Sequence, residues 1–533
     1  MNTRRGRGGR DWSRPMAKAR VATRLNVAAE RYREILDRHD AEELRTLAHT
    51  KRFLERYVAD PRFRSKLQEK PDAPQLVAEA YGIAIDPSQA LPLFSTDHMR
   101  FRFSEEEARW PVAKTWDVYQ SEMAECRMLH QRAGDCADAS PRFDAWRQRQ
   151  IRRGRGELGA MGSVITHPIL AFELSAGCTV GCWFCGVSAG RFRGNFVYSV
   201  ENARLWRTIL DHCVDLFGTA AQIGFCYWAT DPTDNPDYPR FIADYHTVTG
   251  SLPQTTTAAP LKNPAFTREI LRLSDQHRCV INRFSILTLR MLDAVHAVFS
   301  AEELMKVDLV LQNRESLTSK AIVGRARERA QPAAPGRPVS TPIADPDHST
   351  ICCVSGFLVN MVDRSIQLVT PTRCSDRWPL GYRVFGERRF ATAPEFRAGV
   401  EELIDAHMPE EIASADVLSF RDDLTYHRKP NSFELRTRNG HFALGGFPGA
   451  GRLGDMIHKG GMTAGEIQAV LTRSGADIFV IADVMQQLFD RGLLSEDPKL
   501  GGIGSAVVDQ KGRVLAVLGK SPRRTVQEEN DKS

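Results

Sequence analysis

The chain has 533 residues, 42% of them hydrophobic and 26% charged, which is enough to bury a substantial core in an enzyme of roughly two to four domains. No apolar run approaches the ~18 residues of a membrane span, and the basic N-terminus lacks the apolar region of a signal peptide, so no membrane partner is expected. The net charge of +6 is small for this length, and the 11 cysteines suit a reducing cytoplasm better than a disulfide scaffold.

Residues 1–30 are Gly/Arg-rich, with Arg4, Arg5, Arg7 and Arg10, and read as a disordered basic tail rather than a nucleic-acid arm. Residues 31–155 read as a helical region. Within it, Asp60-Pro61 is a good helix start, with Phe63, Leu67 and Leu76 facing a core. The stretch from Phe53-Leu-Glu-Arg-Tyr-Val-Ala-Asp-Pro-Arg-Phe to Tyr81-Gly-Ile-Ala-Ile also resembles the nitrile-hydratase-like leaders of ribosomally made natural products. That likeness implies a biochemical setting; here the segment itself reads as a helical cap.

Next comes a β-prone run, Ile165 to Leu174, that ends in Ser-Ala-Gly immediately before Cys178-Thr-Val-Gly-Cys182-Trp-Phe-Cys185. Three thiolates on a loop leaving a buried strand are an iron-sulfur pattern with one iron left open, because such clusters usually take four cysteines. A zinc knuckle would need a fourth Cys or His at close range, and the segment to Ser188 has none. The spacing resembles the signature of the radical S-adenosylmethionine (AdoMet) superfamily, with Phe184 in its aromatic slot. The resemblance implies an α/β fold built on a partial (β/α)6 barrel, here residues 156–390. It also implies a 4Fe-4S cluster on Cys178, Cys182 and Cys185, AdoMet on the open iron, and a 5′-deoxyadenosyl radical after reduction by a flavodoxin- or ferredoxin-type partner.

A second strand, Gln222 to Trp228, leads into Ala229-Thr-Asp-Pro-Thr-Asp, where the superfamily often has Gly-Gly-Glu-Pro; Tyr227, Thr230 and Asp231 are the candidates there to meet AdoMet. Further strands are expected at Pro253–Ala258, Val280–Leu287, Val307–Gln312 and Gly356–Met361. Arg283 and Ser285, on Val280–Leu287, the fourth strand of the barrel by this count, are candidates for the ribose or carboxylate contacts that the superfamily often places there. The Pro-rich stretch Gln331 to Asp345, within an insertion spanning 325–348, reads as a mobile loop or insertion. After it come Cys352 and Cys353, a turn at Asp363-Arg364, a strand, and a loop carrying Cys374.

Residues 391–430 read as a helical linker and residues 498–533 as a tail. Between them, residues 431–497 hold a hairpin with Asn439-Gly440 at its turn, a helix-start box Thr463-Ala-Gly-Glu466, and a second helix ending in Arg491-Gly492. This resembles the PqqD-like peptide recognition element, a small winged-helix fold that binds the leader of a precursor peptide as an added strand. With the Cys178 motif, the whole is similar to the radical AdoMet peptide epimerases of proteusin-type precursors. That implies L-to-D inversion by α-hydrogen abstraction, followed by hydrogen return from a neutral thiol. Cys374 is slightly preferred as donor over Cys353 and Cys352. The alternatives are thioether or carbon-carbon crosslinking, for which second-cluster cysteines are lacking, and a non-catalytic leader-binding scaffold.

Overall fold

The computed structural model describes Ala28, residues 30–279, 281–330 and 349–496, and the backbone of two short paired strands, Ala506–Val508 and Val514–Val517. Most of the basic tail, the Pro-rich stretch from Gln331 to Asp345 and the rest of the C-terminal tail lie outside the described residues.

The N-terminal region is helical. Helix α1 (Ala41–Ala59) starts at a capping box between Asp40 and Glu43 and stops at Asp60, which caps the next helix, Pro61–Glu69. Phe53, Phe63 and Leu67 are buried together, but Leu76 is 61% exposed, a correction to its expected core role. Two long helices follow, α2 (Pro111–Arg132) and α3 (Pro141–Glu157).

The central sheet is built from β1 (Leu170–Glu173), β2 (Gly224–Phe225), β3 (Thr256–Thr257), β4 (Asn282–Ile286), β5 (Val307–Leu311) and β6 (Gly356–Asn360), which are short parallel strands. Between the first five lie α4 (Val200–Phe217), α5 (Tyr238–Thr249) and α6 (Pro264–Gln276), and α7 (Leu289–Val298) separates β4 from β5. A bridge between Phe225 and Gln254 joins β2 to the β3 side, so the parallel order is 5-4-3-2-1-6. Strand β6 pairs with β1, Leu170 opposite Phe357, and so does not lie beside β5. Two antiparallel strands, β7 (Ser365–Pro371) and β8 (Tyr382–Arg389), extend the sheet beyond β6, and β8 was not anticipated.

A free β5 edge would leave ladder groups unpaired. Helix α1 covers it: Glu55 accepts from Leu309 N–H at 3.4 Å, and Asn313 donates to the Ala59 carbonyl at 3.0 Å. On the opposite side of the sheet, Phe172 and Trp206 pack edge to face at 4.8 Å inside the main core, with Phe241 and Tyr245 of α5.

The expected helical linker is partly corrected. Ala393–His407 is a helix (α8) that packs on β8 and caps itself with Thr392, but Thr425–Lys429 is a strand, β9. It opens a meander with β10 (Ser432–Arg436) and β11 (His441–Gly445), followed by α9 (Ala450–Lys459), α10 (Ala464–Arg473) and α11 (Ile478–Asp490). Three strands and then three helices enclose a separate core around Phe433, Leu435, Ile467 and Leu488. Thr463 and Glu466 form the capping box of α10.

A candidate active site on the loop after the first strand

Cys178, Cys182 and Cys185 lie on an excursion that begins where β1 ends. The loop is closed by a two-residue antiparallel ladder, Ser175 opposite Asn195 and Ala176 opposite Gly194, and by a bond from Cys178 N–H to the Gly190 carbonyl at 3.0 Å. Gly177 makes the closure possible. Its φ is +75°, and a Cβ there would lie 2.1 Å from the Arg191 carbonyl oxygen.

Two side chains outside the motif hold this loop and a third ties together the strand ends beside it, and the sequence reading gave none of them a role. Asp234, buried at the start of the segment after β2, accepts from Thr179 N–H at 2.8 Å and Thr179 Oγ1 at 2.5 Å, and pairs with Lys262 at 2.8 Å. Arg325 donates to the carbonyls of Cys182 and Ala189, both at 2.7 Å, while its own N–H bonds to the Cys185 carbonyl at 3.0 Å. The helix Arg325–Ala330 therefore belongs to the site, a correction to the insertion expected to begin at residue 325. Glu173, at the carboxyl end of β1, accepts from Ala229 N–H and Asn360 Nδ2, each at 2.7 Å, and ties three strand ends together; burial raises its pKa. The first of these was legible as an acidic residue in the Ala229–Asp234 run; Arg325 had no local signal.

Among the described residues no three His, Cys, Asp or Glu side chains are gathered tightly enough to hold a single metal ion. A tetrahedral ion at about 2.3 Å from each sulfur would need sulfurs about 3.8 Å apart, whereas a cluster binds each thiolate to a different iron. Cys182 lies within electrostatic reach of both Cys185 and Cys178; burial pushes its thiol up to about 12 and that of Cys178 to about 11. Backbone amides already point at sulfur, Val180 N–H at Cys178 (3.4 Å) and Ala189 N–H at Cys185 (3.3 Å). This donor set fits a thiolate-bound cluster, since iron would replace the protons that burial retains and the amides would stabilise the sulfur charge. Phe184 packs edge-on against Trp183.

The residues after β2 divide in role. The Asp231 carboxylate takes hydrogen bonds from Thr233 N–H, Thr233 Oγ1, Thr257 Oγ1 and Ala258 N–H, stitching this segment to β3. Thr230 Oγ1 is buried and without a hydrogen-bond partner among the described residues, a group left for a ligand. Tyr227 donates to Gln254 at 2.6 Å and accepts from Thr256 at 2.8 Å. Arg283 and Ser285 alternate with the buried Asn282, Phe284 and Ile286 and lie on the other face of β4, Arg283 exposed and Ser285 half-buried.

The three remaining cysteines separate. The segment 349–355 runs back from the cysteine loop, where Ile351 would meet a Cβ on Gly186 at 2.6 Å, to the amino end of β1, where Ser355 N–H bonds the Pro168 carbonyl at 3.1 Å. Cys352 on this segment is buried against its own backbone. Cys353 lines an interior cavity with Tyr227 and Arg283, and burial pushes its thiol up to about 11. Cys374 donates to the Pro379 carbonyl at 3.3 Å beside Arg327.

Residues 418–492 match the family model of the protein y4wI C-terminal domain, which coincides with the meander and its helices. The uncharacterized protein y4wI of Sinorhizobium fredii is 46% identical over 469 residues, 88% of this chain and 91% of the relative. Among solved structures, the crystal structure of BtrN in complex with AdoMet and 2-DOIA aligns over 38% of this chain and 72% of that one, with a TM-score of 0.25 and 12% identity, too little to establish a shared fold. Identity at this level over nearly the whole length, with a C-terminal domain that matches its own family model, places the chain in the y4wI family.

Proposed function

We propose that the chain is a radical AdoMet enzyme that inverts α-carbons in a ribosomally made peptide. The observation that carries this is the cysteine loop: three thiols in the Cys-x3-Cys-x2-Cys spacing, beyond the carboxyl end of a parallel strand, with amides aimed at sulfur. Cys178, Cys182 and Cys185 would hold the 4Fe-4S cluster, and Thr230 and Phe184 border the space for AdoMet. Bound there, cluster and cofactor supply a 5′-deoxyadenosyl radical able to take a hydrogen atom from the peptide α-carbon.

The chain's own part is to return hydrogen to the opposite face. Cys353 is the donor in this reading, in preference to Cys374 and Cys352, because it packs with Tyr227 and Trp228 of the segment that carries Thr230, while Cys374 is bonded to a carbonyl and Cys352 is enclosed. Its raised pKa keeps the S–H bond intact at neutral pH. That bond breaks homolytically as the new C–H bond forms. The resulting thiyl regains one electron from a flavodoxin- or ferredoxin-type reductant and one proton from solvent.

The leader would bind the C-terminal domain. Strands β9 and β11 each keep one edge unpaired among the described residues, and Phe479, at the start of α11, is 81% exposed between Ile478 and Val480, which supports addition of an apolar-flanked strand.

The test is coexpression with the genome-adjacent precursor in deuterated water, followed by mass and chirality analysis. Wild type should add one deuterium per D-residue. The Cys178/Cys182/Cys185→Ala variant should lose its ~4 irons and all product. Cys353→Ala should still form 5′-deoxyadenosine but no D-residue. Unaltered iron content in the triple variant excludes the radical reading; full inversion by Cys353→Ala excludes this donor.

A further inference from the structure

A cavity of about 330 Å³ lies at the other end of the sheet from the cysteine loop. Its walls include Pro168, Gln222, Leu252 and Ile281, which precede β1 to β4, and it reaches in to Tyr227 and Cys353. Three arginines, Arg127, Arg278 and Arg283, line it, and no Asp or Glu among the described residues does. Three imidazoles line it as well, and burial disfavours their charged form. Burial holds His130 and His246 at about 4, the latter with His277 stacked 3.8 Å away, and lowers His277 too.

None of the three guanidinium groups makes a hydrogen bond or ion pair among the described residues; Arg127 and Arg283 are exposed and Arg278 is half-buried. Arg283 stands in register with Asp308 on β5, yet the two do not pair. Three like charges around one pocket, with no carboxylate among the described residues of its walls, give a positive field that favours an anion.

Arg278 adds an independent sign. It follows α6 at φ +57°, in the left-handed position where the closing bond from Cys279 N–H to the Ser274 carbonyl (2.9 Å) favours glycine. A long cation occupies a site at which its backbone is strained, and it faces the cavity. Strain retained at such a position points to function.

We propose that this cavity binds a carboxylate, anchored on Arg283 with Arg127 and Arg278 completing its charge. At the small end of ligand-pocket sizes, it suits a compact acid or one acidic side chain of a peptide. The planar fork of Arg283 pairs with both carboxylate oxygens, and the faces of Phe225 and Tyr227 take the apolar part of the ligand. The site stands whether or not the radical function proposed above is correct, since it requires neither cluster nor AdoMet.

The test is calorimetric titration of the full-length protein with glutarate, and with a hexapeptide containing one Glu beside its Gln counterpart. We expect at least one of the two acids to bind wild type. Glutarate alone marks a free small acid, and the Glu peptide alone marks a peptide residue. Arg283→Gln should weaken binding by about tenfold or more. Arg278→Gly should weaken it several-fold while leaving the thermal midpoint unchanged or higher, which separates binding from folding. The proposal is overturned if neither acid saturates the protein, if the Gln peptide binds as well as the Glu peptide, if inorganic phosphate displaces the acid at equal concentration, or if Arg278→Gly binds as wild type.

Discussion

Glu157 shows how a single buried carboxylate can be made indispensable. It closes α3 and receives Arg153, Arg383, Thr372 Oγ1 at 2.5 Å and Arg373 N–H at 2.8 Å, so it fixes the two residues that precede Cys374. Burial pushes its pKa up, but Arg153, Arg383 and the two hydrogen bonds outweigh that and hold it at about 2 against an ordinary 4.5. A depressed folded pKa contributes stability that is complete above the unfolded value and is lost as pH falls through the folded one. Glu157→Gln should therefore cost on the order of 3 kcal/mol at pH 7, shrinking to less than about half of that by pH 3. Urea denaturation of both proteins at the two pH values checks this, and an equal cost at both would rule out the charge as its source. Gly177 is the complementary case: the Ser-Ala-Gly run was readable as a turn, but its closeness to Arg191 was not.

At the scale of elements, the C-terminal domain was half legible. The Asn439-Gly440 turn and the Thr463–Glu466 box lie where local chemistry dictates, because a tight turn and a helix cap are decided within four residues. Strand β9 was missed because Thr425–Lys429 is polar and mostly exposed, an edge strand with no apolar alternation to read. The exposed start of α11 leads to a prediction: Phe479→Asp should weaken binding of the precursor leader at least about tenfold, as loss of a central aromatic anchor does, with melting unchanged because the side chain packs on little. Fluorescence anisotropy with a labelled leader peptide measures it, and unaltered affinity would leave this face without a role.

Across the whole molecule, α3 joins the two halves. Arg147 donates twice to the His167 carbonyl and Arg153 reaches the Pro371 carbonyl on the sheet side. Arg149 pairs with Glu496 at 3.1 Å and stacks over Phe489 at 4.0 Å on the C-terminal side. All three guanidinium groups are buried, so removing one leaves its partners unpaired in a dry interior. Arg149→Met should loosen the C-terminal domain and cost about 3 kcal/mol or more, seen as faster proteolysis between α8 and β9 and a larger radius of gyration in solution scattering. An unchanged cleavage rate would mean that the domain is held elsewhere.

By itself the sequence determined the features governed by short separations: the three-cysteine loop after a β-prone run, the positions of six parallel strands, and the caps and turns of the last domain. Each depends on residues within a few positions of one another, where spacing and conformational preference act directly. The tertiary structure alone decided which partners meet across long separations. It set β6 beside β1, covered the β5 edge with α1, brought Asp234 and Arg325 to the cysteine loop, and gathered three arginines without a carboxylate around one cavity. Those pairings follow from burying apolar faces and satisfying buried polar groups over the entire chain, and no local pattern records that sum.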